Sequence, residues 1–334
     1  DTSSTNTVEM TSGFSTGNRW GLTGTEDIGN AKVGFVLESG FNSDDGASGQ
    51  DGRLFGREAQ VNVSGAYGTL YAGRFASIAS DSGSIGYLTD VSAFPNGFGV
   101  VGTQKGSTGS AYARYDNALA YQTPTFGGLQ AAAMYSFKAN SQTDKTSREN
   151  SSFADRYAAA GLRYKAGKAA VVLAGDYTLY SNSTHAGLDN GYSVILGGNY
   201  DFGVAKVFAK ATYFDNQASA TDSFSLLSDS KTVGVEGWGV ELSPFRLSAA
   251  RCSARLAIVM PRTLTTATPS SSVGTPLLVT PMRSASAPAS TLLPATLRKR
   301  LTSSTARPAL LRLVSASSTS SNLVKENSRS SPFC

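Results

Sequence analysis

The sequence predicts an all-β chain: a transmembrane antiparallel β-barrel followed by a C-terminal tail of a different kind. Three observations carry that expectation. Only 16% of the 334 residues are charged, while Gly, Tyr and Phe number 35, 14 and 16. Aromatics favour strands and glycines serve tight turns. Apolar and polar residues alternate with period two along segment after segment, which gives each segment an apolar and a polar face. No apolar run approaches the roughly 18 residues of a membrane helix; the longest are short, as at 169–174. Strands of a membrane barrel alternate, and so escape hydropathy averaging.

Eleven strands follow in order. The first is read at 18–25, closed by a short connection at 27–30. The second, 31–41, sets Val33, Phe35, Leu37 and Phe41 against Lys32, Gly34, Glu38 and Gly40. A long polar connection, 42–53, leads to 54–65, and Tyr67 and Gly68 turn the chain into 69–76. The longest connection, 77–113, precedes 116–124, which turns through 125–128 into 129–138. There Leu129, Ala131, Ala133, Tyr135 and Phe137 oppose Gln130, Ser136 and Lys138. After 139–154, the strand 155–165 sets Ala158, Ala160, Leu162 and Tyr164 against Arg163 and Lys165. A turn at 166–168 gives 169–180, and the long connection 181–190 leads to 191–202 and 204–215. In the latter, Ala205, Val207, Ala209, Ala211 and Tyr213 oppose Lys206, Lys210 and Thr212. The connection 216–230 precedes the last strand, 230–242. Short and long connections alternate strictly, the sign of tight turns at one barrel end and long loops at the other.

A soluble β-sandwich also alternates, and three features weigh against it. The strands run to about 8–13 residues, longer than the usual ~5–6 and near the ~9–11 that cross a bilayer. Aromatics gather at strand ends, at Trp20, Phe41, Phe75, Tyr121, Phe126, Tyr164, Tyr177, Tyr200, Phe202 and Tyr213, as interfacial girdles do. The polar faces carry isolated charges with no second apolar core.

The chain changes grammar near residue 243. Up to there it holds 17 Lys+Arg and 23 Asp+Glu, all 14 Tyr, both Trp and two Pro. Residues 244–334 hold 12 basic residues, one acid (Glu326), one Gly and nine Pro. The overall charge of +5 therefore hides an acidic first region and a strongly basic tail. The tail is rich in Ser, Thr, Pro and Arg and shows no sustained period, so it reads as disordered or aberrant. Both cysteines, Cys252 and Cys334, lie in it.

Specific strings then match a known family. Asn18, Arg19, Trp20 and Gly21 through Asp27 and Gly29 resemble the second strand and first turn of Gram-negative porins of the Neisseria, Burkholderia and Bordetella group. Residues 32–41, and then Leu54 through Arg57 and Ala59 to Gly73 and Arg74, resemble the segments that follow. Arg114, Asp116 and Asn117 through Tyr121, Pro124, Phe126, Gly127 and Gly128 are similar to the family's signature after its constriction loop. The likeness covers residues 1–242.

The resemblance implies a sixteen-strand barrel in a homotrimer of the outer membrane, about eleven strands being recognisable here. It implies passive diffusion of small hydrophilic solutes and inorganic ions through a water-filled pore, with outer-membrane lipid and lipopolysaccharide around it. Residues 77–113 take the place of the inward-folded third loop. The implied pore lining is Arg19, Arg57, Arg74 and Arg114 on the wall, with Asp81, Asp90 and Lys105 on the loop; Arg74 and Arg114 flank it. The parity of Arg57 matches Ala59 and Val61, which leaves its face open. Many relatives carry a basic residue at the position of Thr23, so the implied anion preference is mild.

The family's first strand is expected before residue 1 and its last four after 242. The simplest reading of the tail is a shift of reading frame near residue 243; its rival is a basic extension binding lipopolysaccharide or peptidoglycan. An unclosed sheet edge in lipid leaves backbone groups unpaired, so the expectation is that the family conducts while this chain leaves its barrel open. A structural or adhesin-type barrel is the alternative function.

No enzyme, cofactor, metal site or nucleic-acid partner is expected. His185 is the single histidine and sits in a connection without triad or ligand partners. Asp44, Asp45 and Gly46 resemble a fragment of a calcium loop lacking the rest of its pattern.

Overall fold

The computed structural model describes Met10, Ser12 and residues 17–92, 114–183, 185, 187–217, 234–247, 252–264, 277–279 and 314–317, with backbone alone for 234–235, 241 and all strand residues from 243 on. Eleven long strands run up and down in chain order: β1 Arg19–Asp27, β2 Ala31–Gly40, β3 Glu58–Gly65, β4 Gly68–Ala76, β5 Arg114–Gln122, β6 Leu129–Ser136, β7 Arg156–Ala166, β8 Ala169–Leu179, β9 Gly191–Asp201, β10 Ala205–Asp215 and β11 Gly234–Leu247. Three more, β12 Cys252–Leu264, β13 Leu277–Val279 and β14 Val314–Ser317, extend the same sheet. Every neighbour pair is antiparallel and follows sequence order from β1 to β13, with β14 on β12.

Most boundaries fall within two residues of the expected ones, and two larger differences matter. Leu54 and Phe55 look like strand residues but precede β3; the Phe55 ring meets Trp20 edge-on at 6.0 Å. At the other end β11 continues through Leu247, past the compositional break, and β12 pairs with it from Gly234↔Leu264 to Arg246↔Ser253.

The turns at the short-connection end follow from local chemistry. Asp27 Oδ1 accepts Gly29 N–H at 2.9 Å and Asp201 Oδ1 accepts Gly203 N–H at 2.8 Å, two Asx turns that close hairpins. Gly68 opens β4 at φ 110°, and a Cβ there would lie 2.3 Å from the Gln122 carbonyl oxygen. Gly68→Ala combines a left-handed backbone with a backbone clash. We expect it to cost at least about 1–2 kcal/mol, read as a lowered urea midpoint for the refolded protein.

Pairing fixes the two faces. Leu22, Leu37 and Ala59 share one face through Leu22↔Leu37 and Leu37↔Ala59. Leu162, Leu173 and Leu196 share it further along. This face is exposed and apolar: Leu22, Phe35, Val61, Leu119, Leu162, Leu173, Leu196, Val240 and Leu242 all stand out from it. Aromatics edge it at both ends. Trp20, Tyr177, Tyr213 and Trp238 lie toward the long loops, and Tyr67, Tyr121, Phe126, Tyr164, Tyr200 and Phe202 toward the short turns. On β9, Tyr192 and Tyr200 lie eight residues apart, about 27 Å along a strand, close to the ~25 Å apolar band of an outer-membrane barrel. An exposed apolar belt between aromatic rims is a lipid-facing surface. Phe75 does not belong to it: it is 1% exposed and points to the opposite face, where Tyr71 packs on it at 6.3 Å.

Candidate functional site

The opposite, concave face carries the core. Of the connection expected at 77–113, residues 93–113 lie outside the described residues; residues 77–92 leave β4 and fold back onto the inside of the sheet, with a 3-10 turn, Tyr87–Val91, that packs on β8, β9 and β10. Ile78, Ile85, Tyr87, Leu88 and Val91 of this loop are fully buried. They form one cluster with Ala118, Ala120, Ala132, Met134, Ala159, Val172, Ala174 and Ile195 from the inner wall.

The wall is shaped for the loop. A Cβ on Gly161 would lie 2.9 Å from Ile78 Cγ2 and 3.1 Å from Tyr87 Cδ2; one on Gly197 would lie 2.6 Å from Val91 Cγ2. Small side chains at inner positions of β5 to β9 are thus the footprint of the loop. This signal is present in the sequence, since a water-filled barrel should be polar at those positions. Period-two reading passes over it, because it looks for contrast between faces and finds none there.

Polar contacts fix residues 77–92 of the loop along their length. At its root, Ser77 Oγ and Tyr157 Oη lie 2.6 Å apart, Tyr157 donates to Asp176 Oδ2 at 3.1 Å, and the Tyr157 ring stacks on Tyr115 at 3.7 Å. Near its middle, Glu58 accepts Ser84 N–H at 2.6 Å and the Ser84 hydroxyl at 2.5 Å. In the 3-10 turn Asp90 pairs with Arg163 at 3.1 Å and Lys165 at 2.7 Å. Asn199 donates to the Asp90 carbonyl, and Lys210 donates to Ser92 Oγ at 3.1 Å. The Arg163 guanidinium lies 4.5 Å above the Tyr87 ring. Burial pushes the Tyr87 phenol above its ordinary value, against a hydrogen bond from Gln122 and the Arg163 charge.

The residues expected to line a pore fall into distinct settings. Arg19 is exposed at the start of β1, opposite Gly40. Arg57 lies just outside β3, 6% exposed, its Nε 2.5 Å from Glu38 Oε1. Its parity is therefore no guide, and Glu38 takes its charge. Arg74 pairs with Asp116 at 2.6 Å and donates to the Gly56 carbonyl at 2.9 Å; Arg53 meets the same Asp116 at 3.0 Å. Arg114 has a buried Nε without a hydrogen-bond partner among the described residues. Asp81 is buried, Asp90 is part-exposed, and Lys105 lies outside the described residues. The basic wall expected from the sequence lies on the early strands and just after the loop. The structure adds Arg163 and Lys165 of β7 as direct partners of the loop carboxylate. Among the described residues no group of His, Cys, Asp and Glu could hold a metal ion.

An inward-folded segment clamped by ion pairs thus lies inside a sheet whose outside is a lipid-facing belt. A sequence model described as Gram-negative porin matches residues 1–254. The chain belongs to the Gram-negative porin family. It is 42% identical over 205 residues to an outer membrane porin protein of Bordetella pertussis, covering 59% of this chain and 52% of that protein. It is 33% identical over 203 residues to outer membrane porin protein 32 of Delftia acidovorans, covering 59% and 54%. The chain thus spans about half the length of the curated relatives it matches. Among solved structures, an anion-selective porin from Comamonas acidovorans superposes with TM-score 0.53 at 24% identity, covering 75% of this chain and 70% of that one. OmpF of Salmonella typhi, in complex with daunomycin, superposes with TM-score 0.52 at 16% identity, covering 77% and 74%. Both share the fold, an outer-membrane β-barrel. The place of this porin is the outer membrane of a Gram-negative cell.

Proposed function

We propose that this porin is a general diffusion channel, a homotrimer that passes small hydrophilic solutes and inorganic ions through a lumen narrowed by residues 77–92. The observation that carries the reading is the loop itself, packed by Ile78, Tyr87, Leu88 and Val91 against the inner wall and clamped through Asp90. Selection is by size and by the local field, since charges lining a narrow passage bias the ions that enter it.

The expected selectivity is a mild anion preference. Asp90 faces two bases, Arg163 and Lys165, which leaves an excess of positive charge around Asp90. Arg53, Arg57 and Arg74 are each tied to Asp116 or Glu38, which keeps the bias small. Full-length protein in a planar bilayer under a KCl gradient should give a zero-current potential on the anion side. A cation-side potential contradicts the preference, and absence of channels favours the structural or adhesin-type barrel instead.

We also propose that the basic tail is translated out of frame. The composition changes abruptly near residue 243, and the family match ends at residue 254. Resequencing the gene decides this: an intact, uninterrupted frame through the break refutes it and favours a basic extension.

A further inference from the structure

Where β4 gives way to the inward segment, the sheet is stitched by one carboxylate. The β4–β5 ladder shifts register between Gly73 and Phe75. Gly73 pairs with Ala118 and Phe75 with Tyr115, so Arg74 stands opposite two residues, Asp116 and Asn117. Asn117 takes a left-handed φ of 48°. This is a β-bulge, which bends its strand and interrupts main-chain pairing. Side chains take over there. Asp116, 5% exposed, accepts from Arg74 at 2.6 Å, from Arg53 at 3.0 and 3.3 Å, and from the Ser141 N–H at 2.7 Å.

These donors belong to separate segments. Arg74 lies near the end of β4. Arg53 lies in the connection between β2 and β3 and reaches past β4 to β5. Ser141 lies in the connection between β6 and β7. The two connections also touch directly. Arg53 donates to Asn140 Oδ1 at 2.7 Å, and Gln142 Nε2 donates to the Asp51 carbonyl at 2.7 Å. The segment before Arg53 is shaped for this seat. Gln50 and Asp51 hold left-handed φ values of 49° and 60°, a strained choice for residues with side chains. A Cβ on Gly56 would lie 2.5 Å from Gln50 Cβ, so Gly56 leaves the room that Gln50 fills. Strain of this kind persists where surrounding contacts outweigh it, and here they converge on Asp116.

We propose that Asp116 is a positioning residue for conduction. It ties β4 and β5, the strands on either side of the inward connection, to two long connections at the same end of the sheet. Residues 77–92 are thereby held in one place. Asp116 acts through Arg53 and Arg74, not through its own charge. Removing it leaves two largely buried guanidiniums without their carboxylate, which is costly enough to open the clasp. The proposal rests on the channel reading and adds what keeps the constriction still.

The test uses two variants of the full 334-residue chain that change charge in opposite directions. Asp116→Asn removes a negative charge and Arg53→Met a positive one. If position matters, both variants change in the same direction: single-channel currents become noisier, and channels close at a lower voltage than in the unaltered protein. Trypsin reads the same release without current. Lys145 and Arg148 are exposed in the β6–β7 connection. Cleavage after them, followed by mass spectrometry, should run about tenfold faster in both variants, because it follows the population of the opened state. Noise and closing voltage that move in opposite directions in the two variants assign the effect to the local field and overturn the proposal. Cleavage at the unaltered rate overturns it as well. Should Asp116→Asn fail to fold, Arg53→Met decides alone, since it leaves Arg74 on the carboxylate; unchanged currents or unchanged cleavage then refute the clasp. A chain that forms no channels overturns the diffusion-channel reading, while cleavage still decides whether Asp116 holds the connections.

Discussion

Replacing Arg163 and Lys165 together by Glu should turn this porin toward cations. Both bases lie within 3.1 Å of the Asp90 carboxylate, which is only 20% exposed. The double change places three carboxylates where one met two bases. Charges lining a narrow, partly dry passage are screened less than those on an open surface. They therefore dominate the local field that permeant ions meet. The zero-current potential in a KCl gradient should move to the cation side, and the loop, deprived of its clamp, should give noisier single-channel currents. A potential equal to that of the unaltered protein would mean that β7 does not face the ion path.

Gly161→Leu should disturb the loop from beneath. The added Cβ alone meets Ile78 and Tyr87 at 2.9 and 3.1 Å, and the remaining side chain has no space beside Ile78 and Tyr87, both fully buried. Overpacking of this kind costs about 1–3 kcal/mol. The wall belongs to a sheet bonded on both sides, so the loop is the part that yields. It is displaced toward the open lumen, and conductance should fall while the strands stay formed. The check pairs single-channel conductance with the urea midpoint. Wild-type conductance together with a lowered midpoint would mean that the loop does not border the ion path.

The strands were legible because the outer face of a barrel strand must satisfy lipid. Alternation through Val33, Phe35 and Leu37, or Leu162 and Tyr164, follows directly from that requirement. The inner face was legible only where it is wet. Arg163 and Lys165 stood out as polar opposites of an apolar row, yet nothing in a one-dimensional pattern ties them to Asp90, 73 and 75 positions earlier. Gly161, Val172 and Ala174 hid the loop's footprint because apolar residues on both faces look like lost contrast. Arg57 was undecidable by parity, since it lies just outside β3 and its direction is set by Glu38. The compositional break was plain, but the backbone pairing that carries β11 through Leu247 and on to β12 was not. Strand pairing is made by main-chain groups, which composition does not encode.

As proposed, residues 77–92 narrow a water-filled lumen that sorts solutes by size. Swelling of liposomes containing the full chain, in isosmotic sugars of increasing mass, tests it most directly. Swelling should be rapid for the smallest sugars and fall steeply as the sugar grows. Swelling no faster than that of protein-free liposomes, or equal rates for every sugar, would contradict it.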